Sequence, residues 1–259
     1  MSLAALLAGA EPRDGGLALD IPEDWHQGRT AYGGLSSALA LAVAQRVGGA
    51  LPPLRSAQVS FVGPLSGTVA LRATVLRRGR NATWMRAEIL RDEAVGLTAN
   101  FVFMGPVPSV VHLDARRLPD DVIPPDRAVA VPSDRAPTFL RSHFDTRFAL
   151  PPVDGPRTEA SWWVRLRERE GLDPMVHLLA CADAPPPGVL PLAPRETPLS
   201  SMTWQCNLLD PAPVTADGWW LLHTKSDFAV DGGVNEVTDI WSAAGLPVMA
   251  SIQSVALFG

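Results

Sequence analysis

The sequence predicts an α+β fold in which a unit of one helix and an antiparallel sheet is present twice. Three observations lead to this prediction. Apolar residues recur at helical spacing over residues 33–47, four strand-like runs follow, and the same order of elements returns after residue 158. We therefore expect two tandem sheets that each wrap a helix and that join into one continuous sheet.

Composition and charge narrow the class of protein. The 259 residues are 47% hydrophobic and 19% charged, which is enough for a large core and excludes intrinsic disorder. The formal net charge of −5 argues against nucleic acid, because phosphate binding needs a concentrated positive face. The longest apolar run, residues 35–44, is about half as long as a membrane span. The short apolar run near the N terminus is not preceded by the basic residues of a secretory signal. We therefore expect a cytoplasmic protein that does not bind a membrane.

The cysteines and histidines do not form the patterns of a metal site. Cys181 and Cys206 lie in different segments and form no CxxC pair, and the five histidines show neither HxxxH nor HExxH spacing. The same cysteine spacing gives no disulfide framework. The sequence therefore predicts neither a metal nor a cofactor.

The first repeated unit is assigned to residues 1–105. Its helix is rich in Ala and Ser and ends at Gly48-Gly49, and such small side chains let a sheet approach from more than one side. Four strand-like runs follow, mostly separated by glycine and proline turns; the first three alternate, and the fourth is more continuously apolar. They cover residues 57–61, 69–75, 85–89 and 95–104.

The second unit is assigned to residues 159–259, after a connecting segment at 106–158 that is rich in Pro, Asp and Arg. Because this segment shows no sustained period, we expect an extended connection across the surface. Residues 174–184 predict a short helix with proline at its first position. The predicted strands of this unit are 160–166, 199–209, 219–226, 234–241 and 246–258.

Several short segments within these elements resemble one known family. They are Tyr-Gly-Gly at 32–34, Ser-Phe-Val-Gly-Pro-Leu at 60–65, Leu-Leu-Ala-Cys-Ala-Asp at 178–183, Gly-Trp-Trp-Leu-Leu at 218–222, Ser-Asp-Phe-Ala-Val-Asp-Gly at 226–232 and Ala-Ser-Ile-Gln at 250–253. Together they resemble the acyl-CoA thioesterase II family and its thioesterase-like relatives. The resemblance implies a double hotdog fold, hydrolysis of an acyl-CoA substrate to free acid and CoA, and compatibility with a homo-oligomer.

The resemblance also implies a catalytic set. The family activates water with an Asp, a Thr or Ser, and a Gln from the second half. Matched position by position, the Gln falls on Gln253, the Asp falls on Thr203, and the hydroxyl residue falls near Asp227, with Asp231 as the alternative placement. We therefore expect a set in which the carboxylate and the hydroxyl are exchanged relative to the family.

The residues themselves bear on further site positions. Gln253 interrupts an apolar terminal strand, where a buried amide must find hydrogen-bond partners. Tyr32, Gly33 and Gly34 precede or open the first helix, whose N-terminal N–H groups could stabilise an oxyanion, although two glycines can also simply turn the chain. Asp183 either contributes to substrate binding or ends its helix.

One alternative function stays open at this point. A protein of the same fold that binds acyl-CoA or an acyl lipid without turnover would also fit an exchanged catalytic set. Acyl chain length is not set by the sequence, because it depends on which Leu, Val and Trp side chains point inward.

Overall fold

The computed structural model describes residues 1–132, 134, 136–152, 155, 157–194 and 197–258. Strands dominate among these residues and helices are few, in agreement with the predicted α+β class. The α-helices are α1 (Leu3–Ala8), α2 (Gly33–Gly48), α3 (Thr138–His143) and α4 (Pro174–Ala182). The strands are β1 (Glu11–Arg13), β2 (Gly16–Ile21), β3 (His26–Gln27), β4 (Thr30–Ala31), β5 (Leu54–Phe61), β6 (Gly67–Arg78), β7 (Ala82–Arg91), β8 (Ala94–Met104), β9 (Phe144–Phe148), β10 (Glu159–Leu166), β11 (Leu199–Leu208), β12 (Trp220–Val230), β13 (Gly233–Ser242) and β14 (Pro247–Leu257).

Twelve of these strands form one antiparallel sheet in the order β1-β2-β6-β7-β8-β5-β11-β14-β13-β12-β10-β9. The two halves meet where β5 pairs with β11, from Ser56 opposite Asn207 to Ser60 opposite Thr203. On one side of this seam the strands run β8, β7, β6, and on the other side they run β14, β13, β12. The repeated unit and the single continuous sheet are therefore both confirmed.

The sheet wraps α2, whose small Ala and Ser side chains let the strands approach closely. Eleven of its 16 residues are buried, and it packs against α4 and against β6, β7 and β8. The buried hydroxyls of Ser36 and Ser37 donate hydrogen bonds to the carbonyls of Tyr32 and Gly33, at 3.2 and 2.9 Å. Because these polar groups are satisfied within the helix, the faces that carry them can be buried without an unpaired donor.

The helix α4 is followed at its C-terminal end by a carboxyl group, that of Asp183. Asp173 caps its start by accepting two hydrogen bonds from first-turn N–H groups, at 2.9 and 3.2 Å. Pro174 occupies the first helical position, where no N–H partner is needed. Residues 175–182 are all buried, and the chain leaves the helical conformation at Asp183. The helix therefore delivers a carboxylate to the interior of the protein.

The connecting segment contains more structure than the sequence predicts. The helix α3 and the strand β9 lie within residues 106–158, and β9 pairs with β10 at one edge of the sheet. Phe139, Leu140 and Phe144 belong to the main hydrophobic core. The expected extended connection is therefore wrong for residues 138–148, where elements of six and five residues are too short for a period to be visible. The boundaries placed at residues 105 and 158 stay predictions.

One hydrophobic core joins the two halves. It includes Leu39 of α2, Leu179 of α4, Phe101 of β8 and Trp204 of β11. The two central helices also pack directly on one another. Because neither half has a separate core around its helix, the two sheets and the two helices form one body.

Candidate active site

A cavity of about 310 Å³, here called the central cavity, lies between the end of α4, the loop that follows it and the inner faces of β11, β13 and β14. Its lining is mainly apolar, with Trp162, Phe139 and a run of prolines at 185–187. Its carboxyl, amide and hydroxyl groups come from Asp183, Ser201, Glu236, Gln253 and Gln27. An apolar cavity with a few convergent polar groups is typical of a small-molecule site.

Asp183 is the buried carboxyl at the end of α4. Its Oδ1 accepts a hydrogen bond of 3.1 Å from Nε2 of Gln253. Burial raises the pKa of Asp183 to about 7, although the amide of Gln253 and the backbone N–H of Gly34 act in the opposite direction. A carboxyl with this pKa is ionised in a large fraction of molecules near neutral pH, so it can accept a proton there.

Gln253 connects Asp183 to a hydroxyl. The same Nε2 that donates to Asp183 also donates to Oγ of Ser201, at 2.6 Å. Gln253 is 8% exposed on the inner face of β14, so the expectation that its amide must find buried partners is met. Asp183, Ser201 and Gln253 therefore form one hydrogen-bonded group on the wall of the central cavity.

A β-bulge places Ser201 in this group. The pairing of β11 with β14 shifts between Ser201, opposite Val255, and Thr203, opposite Ser254. The extra residue, Met202, breaks the strict alternation of the strand. As a result, Ser201 faces the cavity while Thr203, two positions along, faces solvent.

Gly33 brings the start of α2 against the carboxyl. A Cβ at this position would lie 2.6 Å from Oδ2 of Asp183 and 3.1 Å from the ring of Phe61. Only glycine therefore lets the first turn of α2 and Asp183 approach so closely. Gly33 also lines a neighbouring cavity of about 340 Å³, the helix cavity, which shares Gln27, Leu199 and Ser201 with the central cavity.

Tyr32 and Gly34 lie behind the site. Tyr32 is fully buried, its hydroxyl donates to the carbonyl of Ala180 at 3.1 Å, and its ring stacks on Phe139 with centroids 4.0 Å apart. A Cβ on Gly34 would lie 2.5 Å from the Tyr32 hydroxyl oxygen. Neither residue lines the central or the helix cavity. Both residues therefore help to pack α2 against α4. Their direct contact with substrate stays a prediction.

The structure does not bring Thr203 and Asp227 to Gln253, so the predicted convergence of these three residues is wrong. Thr203 is turned to solvent by the bulge in β11. Asp227 is exposed on the opposite face of the sheet from the cavity, where its Oδ1 accepts a hydrogen bond of 2.7 Å from Asn235. Asp231 lies in the turn between β12 and β13 and is also exposed.

Two cavity residues, Ser201 and Glu236, are absent from the sequence prediction. Glu236 could have been suspected from the sequence only as an acidic residue within the predicted strand 234–241, because the inner face of β13 also carries Thr238. Ser201 carried no such signal, because its orientation depends on the bulge. Burial raises the pKa of Glu236 to about 7, and the charge of Asp183 acts in the same direction.

The sequence of the chain matches two family domains over most of its length. Residues 21–104 match the acyl-CoA thioesterase N-terminal domain, and residues 119–257 match the acyl-CoA thioesterase C-terminal domain. The chain belongs to the acyl-CoA thioesterase family. No curated protein sequence matches it.

Solved structures share the whole fold of this acyl-CoA thioesterase family member. A hot dog fold protein of unknown function from Alicyclobacillus acidocaldarius is 18% identical, with a TM-score of 0.88 over 100% of this chain and 99% of that one. The tesB protein of Mycobacterium avium subs paratuberculosis is 17% identical, with a TM-score of 0.78 over 99% and 98%. The acyl-CoA thioesterase II TesB2 of Mycobacterium marinum is 19% identical, with a TM-score of 0.75 over 99% and 97%. These likenesses confirm the double hotdog fold.

Two other features bear on the surroundings of the site. Across the ranges that the structure describes, no helix combines the length and the apolar character needed to cross a membrane. In the same part of the chain, no group of three or more His, Cys, Asp or Glu side chains is arranged to hold a metal ion.

Proposed function

We propose that this protein hydrolyses acyl-CoA thioesters and that Asp183 activates the attacking water. The observation that carries the proposal is the hydrogen-bonded group of Asp183, Ser201 and Gln253 on the wall of the central cavity. These are the three residue types of the family pattern. In this proposal the carboxylate and the hydroxyl keep their usual roles, and no exchange between Thr203 and Asp227 is needed.

Asp183 acts as the general base in the proposed reaction. Its carboxylate takes a proton from water while the water oxygen forms a bond to the thioester carbonyl carbon. The carbon–sulfur bond then breaks, and the proton passes from Asp183 to the CoA thiolate. The pKa of about 7 supports this role, because a base works best when its pKa lies near the operating pH.

Gln253 and Ser201 orient the water rather than take its proton. The Gln253 amide holds the Asp183 carboxylate and the Ser201 hydroxyl in fixed positions, so a water between them has a defined direction of attack. The first-turn N–H groups of α2 supply positive potential for the oxyanion, because Gly33 allows this helix end to lie against Asp183.

The proposal is tested by steady-state hydrolysis of a panel of saturated acyl-CoA thioesters of increasing chain length, with release of the free CoA thiol as the readout. We expect saturable thiol release with at least one chain length. The matched control is Asp183→Asn purified in parallel, which exposes any contaminating thioesterase. Tight binding of acyl-CoA with no thiol release from any substrate would overturn the proposal in favour of a non-catalytic acyl-CoA or acyl-lipid binding protein.

A further inference from the structure

Glu236 is a second buried carboxyl in the central cavity, and the proposed reaction does not use it. It is 4% exposed on the inner face of β13 and lines the cavity beside Gln253. A buried carboxyl needs hydrogen-bond partners, and leaving one oxygen without a partner is costly. Its presence in a mainly apolar lining, outside the hydrogen-bonded group of Asp183, Ser201 and Gln253, therefore calls for a reason.

The protein satisfies only one oxygen of Glu236. Oε2 accepts hydrogen bonds from the backbone N–H of Gly188, at 3.0 Å, and from Oγ of Ser226, at 3.4 Å. Among the residues that the structure describes, none donates a hydrogen bond to Oε1. These contacts anchor the loop after α4 through Oε2 and leave Oε1 available to a molecule in the cavity.

Glu236 lies close to the reacting position. It is directly opposite Gln253 in the pairing of β13 with β14, and side chains at such positions have Cβ atoms about 5 Å apart. A substrate group that meets Oε1 while the thioester carbonyl lies at Asp183 and Gln253 must therefore be only a few bonds from that carbonyl.

A third, mainly apolar cavity adjoins the central cavity near Glu236. This cavity of about 580 Å³, the apolar cavity, shares Trp162, Pro186 and Pro187 with the central cavity. Gly188, whose N–H is bonded to Glu236, also lines it. An acyl chain that extends from Asp183 toward the apolar cavity would pass the residues that the two cavities share, next to Gly188, which Glu236 holds.

We propose that the preferred substrates are acyl-CoA thioesters whose acyl chain carries a hydroxyl group near the thioester carbonyl, and that Oε1 of Glu236 binds this hydroxyl. The inference rests on the proposed function and narrows its substrate class. A plain methylene chain would cover Oε1 without giving it a hydrogen bond, and a site with an unpaired buried polar group rejects such an analogue.

The test compares kcat/KM for octanoyl-CoA, 3-hydroxyoctanoyl-CoA and 7-hydroxyoctanoyl-CoA. We expect wild type to prefer the 3-hydroxy substrate to the other two by about tenfold or more, since one hydrogen bond to a buried group is at stake. The 7-hydroxy compound is the matched control, because it has the same composition with the hydroxyl beyond reach. Equal values for all three substrates in wild type would overturn the inference without any variant.

Two variants then assign the preference to Glu236. Glu236→Met has a similar length but no polar group, and it should lose the preference by raising the octanoyl value and lowering the 3-hydroxyoctanoyl value. Glu236→Gln keeps an acceptor for Gly188 and a polar group toward the cavity, so it should retain part of the preference. A preference that survives in Glu236→Met would show that another residue binds the hydroxyl.

A loop effect and a failure of catalysis are separated by two further measurements. Ser226→Ala removes a loop contact, since Ser226 also accepts the N–H of Val189, but it leaves Oε1 in place. We expect it to keep the preference, and its loss there would overturn the inference. Calorimetric binding of S-octyl-CoA and S-(3-hydroxyoctyl)-CoA thioethers reports the same discrimination without turnover. If no thioester is hydrolysed but these analogues differ in wild type and not in Glu236→Met, the proposed function fails and the hydroxyl site stands.

Discussion

The inner faces of the two sheet halves differ in polarity although their backbones repeat. In the first half, the buried side chains of β7 and β8 on this face are apolar except for Thr83; the apolar ones are Met85, Ala87, Ile89, Leu97, Ala99, Phe101 and Phe103. In the second half, the same face of β12, β13 and β14 includes the buried polar residues Thr224, Ser226, Glu236, Thr238 and Gln253. The duplication therefore repeats the packing scaffold, while the polar groups are concentrated in one copy.

The two central helices differ in the same way, since one mainly packs and the other is followed by a candidate site residue. The helix α2 has 16 residues and supplies packing on most of its faces. The helix α4 has 9 residues and is followed directly by Asp183, which lines the central cavity. The first half thus contributes the helix start at Gly33, and the second half contributes the candidate base and the residues bonded to it.

The largest expected effect comes from the candidate base in the polar half. Asp183→Asn keeps the shape of the side chain but removes its ability to accept a proton near neutral pH. We expect kcat/KM for thiol release to fall by about 10²- to 10⁴-fold, with no loss of thermal stability. Asp227→Asn, on the opposite face of the sheet, is the control and should retain wild-type activity. Full activity in Asp183→Asn with inactivity in Asp227→Asn would return the base to the position that the sequence predicts.

A substitution in the apolar half should lower stability and leave activity unchanged. Phe101→Ala leaves a cavity in the shared core, so we expect the free energy of unfolding to fall by about 3–5 kcal/mol in urea denaturation. Phe101 lies outside the central cavity, and kcat/KM corrected for the folded fraction should stay at the wild-type value. A specific loss of turnover in the folded fraction would mean that the first half takes part in the chemistry.

Gln253→Leu sharpens the same contrast with a smaller effect. It removes the donor shared by Asp183 and Ser201 while filling a similar volume. We expect kcat/KM to fall by about 10- to 100-fold, the worth of a hydrogen bond to a charged group, with a smaller loss of stability than in Phe101→Ala. The measurement compares the loss of kcat/KM with the loss in the free energy of unfolding for Gln253→Leu. A variant that loses stability but keeps wild-type kcat/KM would contradict the role of Gln253.

The smallest expected effect is a pH dependence of stability. The pKa of Asp183 is raised from 3.8 to about 7 on folding, so between these values the folded protein holds a proton that the unfolded chain has lost. The contribution of Asp183 to the free energy of unfolding therefore falls as pH rises through about 7. Between pH 6 and pH 8 the loss is about 1 kcal/mol. Asp183→Asn should lack this part of the decline in urea denaturation, whereas Glu236, whose pKa is also raised to about 7, still contributes its own.

Much of the fold could be predicted because it depends on local periodicity. The small-residue helix is observed as Gly33–Gly48 against a prediction of 33–47, and the repeat of elements was visible in their order. The edge strand β9 and the helix α3 could not be found this way, because their short lengths carry no period.

The candidate site was only partly predictable because side-chain direction depends on strand pairing. Gln253 could be found from its polar interruption of an apolar strand, and Asp183 from the end of its helix. Thr203 was misplaced because one extra residue in β11 reverses the face on which following side chains lie. Asp227 was misplaced for a related reason, since its neighbour Ser226 is the residue that faces the interior.

The central place of β14 has a consequence for how the site assembles during folding. This strand fills the gap between β11 and β13, although it follows both of them in the chain. A chain synthesised only as far as β13 holds both central helices but lacks Gln253 and the strand that completes the sheet. Because such non-local strand pairing is slow, thioesterase activity should appear in refolding only after most helical signal has returned, and nascent chains should carry an unpaired gap at the middle of the sheet until β14 inserts.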